Sequence, residues 1–275
     1  MNIRHALFGL IWIGVIGGIT SCGSDSPPPS TIVRSATLSG AQEVPPVTAT
    51  SASGRGAVVV NPATKEITGG MSFSGLTPTP GGHHIHQAPA GSPGANGPVI
   101  IPLTLAPDGN AATVPVGTIL TDAQYASLQA GELYFNVHTS TNPSGEIRGR
   151  INIDGGVTAG LAKMNGAQEV PPNASTANGL GTLVFDSTTL DVIIAYATHN
   201  VSAATIAHIH TGPPGVSGPA DVATLSAGTN VYVAPIPTKL TAKNVTDLTA
   251  GNLYFNVHSP APYAAGEIRA QIVVQ

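Results

Sequence analysis

Residues Gly131–His138 read GELYFNVH, and Gly251–His258 read GNLYFNVH. Each is a short strand-like segment that ends in a histidine just before a loop. Three further blocks return in the same order. Ser39–Pro46, SGAQEVPP, comes back as NGAQEVPP at Asn165–Pro172. His84-Ile85-His86 comes back as His208-Ile209-His210, and GEIR stands at both Gly145–Arg148 and Gly266–Arg269. Four blocks matched in one order mark an internal duplication. A functional residue assigned in one copy therefore needs its counterpart in the other.

Between these blocks the apolar residues come in short runs broken by Gly, Pro, Asn and Asp, a pattern of strands rather than helices. Arg55–Val60 with Glu66–Ser74, and Gly181–Phe185 with Leu190–Ala197, read as hairpins. His83–His86, Val99–Leu105, Leu133–His138 and Glu146–Ile153 supply further strands in the first copy. Ile206–His210, Ala220–Leu225, Leu253–His258 and Glu267–Val274 match them in the second. Only Thr121–Gln129 and Thr241–Thr249 read as helical, each opening on a threonine able to cap the first amides. The expected fold is all-β: two tandem antiparallel Greek-key sandwich or barrel domains, each with one short helix. Residues 32–153 form the first and 157–275 the second, joined by a turn-like Asp154-Gly155-Gly156.

The first 21 residues have the anatomy of an export signal: Arg4, an apolar run over Ala6–Ile19 too short for a comfortable membrane span, then Thr20-Ser21-Cys22. Cys22 is the one cysteine of the chain, which excludes an internal disulfide. Its position resembles the lipobox of bacterial lipoproteins. That resemblance implies lipidation of Cys22, a membrane anchor through the lipid, a tether over residues 22–31, and residence at the outer membrane or cell surface. An ordinary signal peptide or an uncleaved anchor is the alternative. Charged residues make up only 9 %, with 10 Lys and Arg against 14 Asp and Glu, so no basic patch exists to neutralise nucleic-acid phosphates.

Residues two apart on a strand share a face. His84 and His86 therefore point the same way, as do His208 and His210, and His138 and His258 can each add a third imidazole. Such a set suits zinc, copper, nickel or iron(II), with copper or zinc the expected cofactor. A structural histidine network, or a ligand site without metal, is the competing reading. Glu146 and Glu267, and Glu43 and Glu169, are available as hydrogen-bond partners of the histidines. Glu146 with Arg148, and Glu267 with Arg269, share a face and read as structural ion pairs. The GAQEVPP block reads as an edge cap. The Gly/Pro segments Ala88–Pro98 and Gly212–Pro219 read as rims near the histidines. His83, matched by Ala207, and His199 lack counterparts; His83 reads as exposed or as an extra outer ligand. No GxSxG motif or Ser-His-acid spacing points to a nucleophilic enzyme.

Taken together, the four blocks resemble the CHRD domain, a module named after chordin, over Thr37–Ile153 and Leu161–Ile272. The resemblance implies an exported β-rich module with no catalytic residues to carry over. Copy two departs from it at Ala270, where GEIRG would end in glycine. The histidine pattern is also distantly similar to the copper site of copper–zinc superoxide dismutase, but without a bridging histidine or a disulfide. The expected function is a lipid-anchored, non-enzymatic binding or structural role in the cell envelope, with an envelope protein or a metal ion as partner. The alternatives are copper or zinc handling through one three-histidine site per domain, or a metal-dependent redox enzyme.

Overall fold

The computed structural model describes residues 31–76, 80–225 and 230–275. The expected signal segment, the lipidation site Cys22 and the tether before Thr31 lie outside the described residues. The first repeat contains β1 (Ile32–Ser39), β2 (Ser53–Val60), β3 (Ile67–Ser74), β4 (Pro80–Gln87), β5 (Val99–Pro102), β6 (Thr104–Leu105), β7 (Ala111–Thr113), α1 (Asp122–Gln129), β8 (Leu133–Thr139), β9 (Ile147–Arg150) and β10 (Ile153–Asp154). The second contains β11 (Val157–Asn165), β12 (Asn178–Asp186), β13 (Val192–His199), β14 (Ile206–Thr211), β15 (Ala223–Leu225), β16 (Val231–Val233), α2 (Ala242–Thr249), β17 (Leu253–His258), β18 (Ile268–Gln271) and β19 (Val273–Val274).

Each repeat builds one antiparallel, near-barrel sheet, as the all-β expectation required. The first runs β5-β4-β8-β9-β1-β2-β3-β7-β6, and the second β15-β14-β17-β18-β11-β12-β13-β16. After β3 the chain crosses over to β4, which pairs with β8 and β5 and not with β3. Val99–Leu105, expected as one strand, divides at Leu103: β5 pairs with β4, and β6 pairs with β7 at the far edge. This short stretch thus spans the two ends of the sheet. Glu146–Ile153 likewise divides into β9 and β10, which lets β1 pair with both. Both helices start as expected. The Thr121 hydroxyl accepts from the Gln124 amide at 3.2 Å while the Gln124 side chain accepts from the Thr121 amide at 2.9 Å. Thr241 and Asn244 repeat the arrangement.

Period-two alternation fills each barrel. In β8, Leu133, Phe135 and Val137 are fully buried among Ile85, Met71 and Ile147. A side chain at Gly56 would meet the Phe135 ring at 2.5 Å, so the ring occupies the space the glycine leaves; Gly181 stands under Phe255 in the same way. Gly155 and Gly156, both with positive φ, turn the chain from one repeat into the next. The barrels then pack together. Ala57, Val59 and Ala111 of the first form one buried cluster with Val184, Ile194 and Tyr196 of the second. The Tyr196 hydroxyl sits 2.5 Å from the Thr68 hydroxyl and accepts from the Gly69 amide at 3.0 Å. Arg55 pairs with Asp186 at 2.6 Å across the same boundary.

Candidate metal centre

The face of β4 and β8 that points away from the core carries the candidate site. Cross-strand pairing sets His84 opposite Asn136, His86 opposite Tyr134, and Gly82 opposite His138. In the second domain His208 faces Asn256, His210 faces Tyr254, and Ile206 faces His258. The alternation that buries Phe135 therefore gathers Tyr134, Asn136 and His138 beside His84 and His86. In each domain the three expected histidines each offer a ring nitrogen, and these atoms all lie within 4.8 Å of one another.

The rings are fixed by the backbone. His86 Nδ1 lies 2.9 Å from the Gly97 carbonyl and His138 Nδ1 3.0 Å from that of Pro143. His210 Nδ1 uses Gly218 at 3.0 Å and His258 Nδ1 uses Ala264 at 3.3 Å. A carbonyl only accepts, so these Nδ1 atoms carry the proton and each Nε2 keeps its lone pair. The Nε2 atoms of His86 and His138 are 3.4 Å apart, and His208 Nδ1 is 3.2 Å from His258 Nε2. Two nitrogens bound to one tetrahedral zinc at about 2.05 Å stand roughly 3.3 Å apart, so both separations suit a shared ion. His84 Nδ1 and His210 Nε2 are buried without a hydrogen-bond partner from the protein. A histidine network satisfied within itself would not leave these two atoms over. Burial pushes His86 and His210 down to about 4, against the opposing carbonyl bonds, so both are neutral imidazoles near neutral pH.

The supporting residues depart from expectation. Among the described residues no ion pair joins Glu146 to Arg148 or Glu267 to Arg269. Glu146 instead accepts from Thr50 and Thr139, both at 2.6 Å, and Glu267 from Ser175 at 2.7 Å and from Ser259. Arg148 donates to Asn96 Oδ1 at 2.9 Å and the Ala95 carbonyl at 2.8 Å, while Arg269 donates to the Val216 carbonyl at 2.9 Å. Each guanidinium also covers a tyrosine, Tyr134 or Tyr254, at 3.5 Å from the ring centroid. The arginines thus hold down the Gly/Pro loops, which do border the histidines as expected. Tight turns in those loops offer bare carbonyls, and each planar guanidinium donates to them instead of pairing with the carboxylate two residues away.

Glu43 and Glu169, within the block expected as an edge cap, are buried. Glu43 Oε1 and Asn136 Oδ1 both stand 2.6 Å from where a side chain would begin on Gly145, and Gly266 sits likewise against Glu169 and Asn256. Three of the repeated blocks therefore meet at one point. Burial pushes both glutamates up to about 7, against the pull of Arg148 and Arg269.

His83 is neither exposed nor a fourth ligand. It is half-buried and lies one residue from His84, on the opposite face, where the second domain buries Ala207. His199 packs against Tyr232, 5.1 Å between centroids, away from the triad. Sequence reasoning passed over Tyr134 and Asn136, although the alternation within YFNVH places both on the histidine side.

No curated protein matches the chain. The sequence profile of the CHRD domain matches residues 34–151 and again 161–272, one match for each barrel with its three-histidine face, and the chain therefore belongs to the CHRD domain family.

Proposed function

We propose that this is an exported, lipid-anchored envelope protein that binds one copper or zinc ion per domain and is not itself an enzyme. The tandem CHRD architecture supports a binding or structural role. The observation that carries the metal reading is the convergence of three ring nitrogens in each domain, with one nitrogen in each set otherwise unpartnered. Three imidazoles suit zinc or copper and leave a fourth coordination position unassigned to the protein. The duplication supports the same reading, because both copies retain the constellation despite their differences elsewhere. For the anchor, the support is Cys22 directly after the apolar N-terminal run.

Elemental analysis of the purified mature protein tests the first part. Two equivalents of metal are expected, falling to one in His86→Ala or His210→Ala and to none in the double variant. A folded wild-type protein that takes up neither copper nor zinc ends the metal reading. Metabolic labelling with a fatty acid tests the second: label is expected in the wild type and lost in Cys22→Ser, and an unlabelled wild type ends the anchor reading.

A further inference from the structure

We infer that the first histidine of each triad, His84 or His208, takes the metal through Nδ1 while the other two take it through Nε2, and that this first ring is the exchangeable ligand through which the ion enters and leaves. The inference rests on the metal reading above.

The two copies assign Nδ1 by different observations. In the second domain it is Nδ1 of His208, not Nε2, that stands 3.2 Å from His258 Nε2. In the first, His84 Nδ1 is buried with no hydrogen-bond partner among the described residues. The Cε1–Nε2 edge of that ring faces Gly82 instead: a side chain begun there would lie 2.9 Å from Cε1 and 3.5 Å from Nε2. The other four rings are the reverse. His86, His138, His210 and His258 each commit Nδ1 to a loop carbonyl and keep Nε2 for the ion.

The same difference divides the ligands into tethered and untethered. An imidazole whose second nitrogen is hydrogen-bonded to the backbone meets the ion with its ring angle already set, and such outer contacts are worth about 10- to 100-fold in metal affinity. Among the described residues, Nε2 of His84 and of His208 makes no such bond, and neither atom is sealed in the interior. Both residues are half-buried, whereas His86 and His210 are buried. The tethered pair is therefore the standing part of each site. The first ring is ordered only as the ion binds, and it regains that freedom when it lets go.

The second domain shows what the ion replaces. His258 carries its proton on Nδ1, so its Nε2 accepts and His208 Nδ1 donates. A metal ion at the site takes the place of that donated proton. The proton leaves Nδ1 to water, and water returns one to Nε2. His208 thus reverses its tautomer on loading with no net proton released, while the tethered rings keep the proton on Nδ1 throughout.

The test compares the full mature chain, isotope-labelled, with and without zinc by long-range proton–nitrogen correlation spectra of the histidine rings. With zinc, His84 and His208 are expected to carry the proton on Nε2 and the metal on Nδ1, and the other four the opposite. Without zinc, His208 is expected to carry its proton on Nδ1. Zinc bound at Nε2 of His84 and His208 overturns the inference and leaves metal binding intact. Competition with a chelator then ranks the ligands. His210→Ala leaves the first site alone; in that background His84→Ala should hold zinc at least about tenfold more tightly than His138→Ala, because it loses the untethered ring. In the His86→Ala background, His208→Ala should likewise exceed His258→Ala. Glutamine replaces alanine at any position where the alanine variant folds poorly. An equal or reversed order overturns the exchangeable ligand. Failure of the folded, unsubstituted protein to take up zinc or copper overturns metal binding itself, and this inference with it.

Discussion

Arg148 lies over Tyr134, its Cζ 3.5 Å from the ring centroid, and His86 stacks on the same ring at 5.0 Å. Because β8 lies between β4 and β9, the tyrosine is held between a cation and a candidate ligand. Its hydroxyl accepts from the Gly97 amide at 3.0 Å, on the loop that also fixes His86. Tyr134→Phe should lose that bond and the longer one the hydroxyl donates to the Gly97 carbonyl at 3.3 Å, together about 1 kcal/mol. Tyr134→Leu also removes the stack and the cation–π contact and should cost about 3 kcal/mol, with weaker metal uptake in the first domain only. Denaturant titration and metal competition of the two variants check this.

Gly145 and Gly266 have φ of 131° and 145°, and each sits against a buried Glu–Asn pair. Alanine at either position adds strain to a clash. Gly145→Ala should destabilise the first domain by about 3 kcal/mol or more, and Gly266→Ala the second. Proteolysis combined with thermal melts should locate the damage in the substituted domain.

The parts of this arrangement that were legible in the sequence are those written in local alternation. HIH and YFNVH fix by themselves which side chains share a face, so the histidine triads could be read directly. The partners of Arg148 could not be. Asn96 is brought near by a loop 52 residues upstream, and a GEIR spacing suggests a nearer glutamate that the fold assigns to Thr50 and Thr139. The division of Val99–Leu105 was hidden for a related reason. Its residues are strand-like apart from Pro102, and a proline alone does not say which half pairs with which edge; the closing of the sheet decides that. Phase along β4 also disposes of His83, since one residue of displacement carries a side chain through the sheet.

Glu43 and Glu169 are pushed up to about 7, chiefly by burial. A folded-state value above the ordinary 4.5 means that the folded protein holds these protons more tightly than the unfolded chain. Their contribution to stability is therefore complete below about pH 4.5 and is lost as pH rises through about 7. In metal-free protein, the Glu43→Gln, Glu169→Gln double variant should lose less stability than the wild type between about pH 5 and about pH 8. Thermal melts across that range in the presence of chelator measure the difference. A wild-type decline matched by the variant would assign the pH dependence to other groups.

Tyr196 is buried in the second domain and bonds to Thr68 and Gly69 of the first. Tyr196→Phe leaves a buried hydroxyl and a buried amide short of a partner, at a cost of about 2 kcal/mol. Calorimetry should show one unfolding transition for the wild type and a broadened or divided one for the variant, because the loss falls on the contact that makes the barrels unfold together.

The buried cluster between the barrels has a consequence for any attempt to divide the chain. With Val59 and Ala57 resting against Val184 and Ile194, each repeat carries an oily flank that only the other covers. Neither barrel can leave the other without baring that flank to water. Severing the chain at Gly155 would yield halves that stick to each other or to other apolar surfaces.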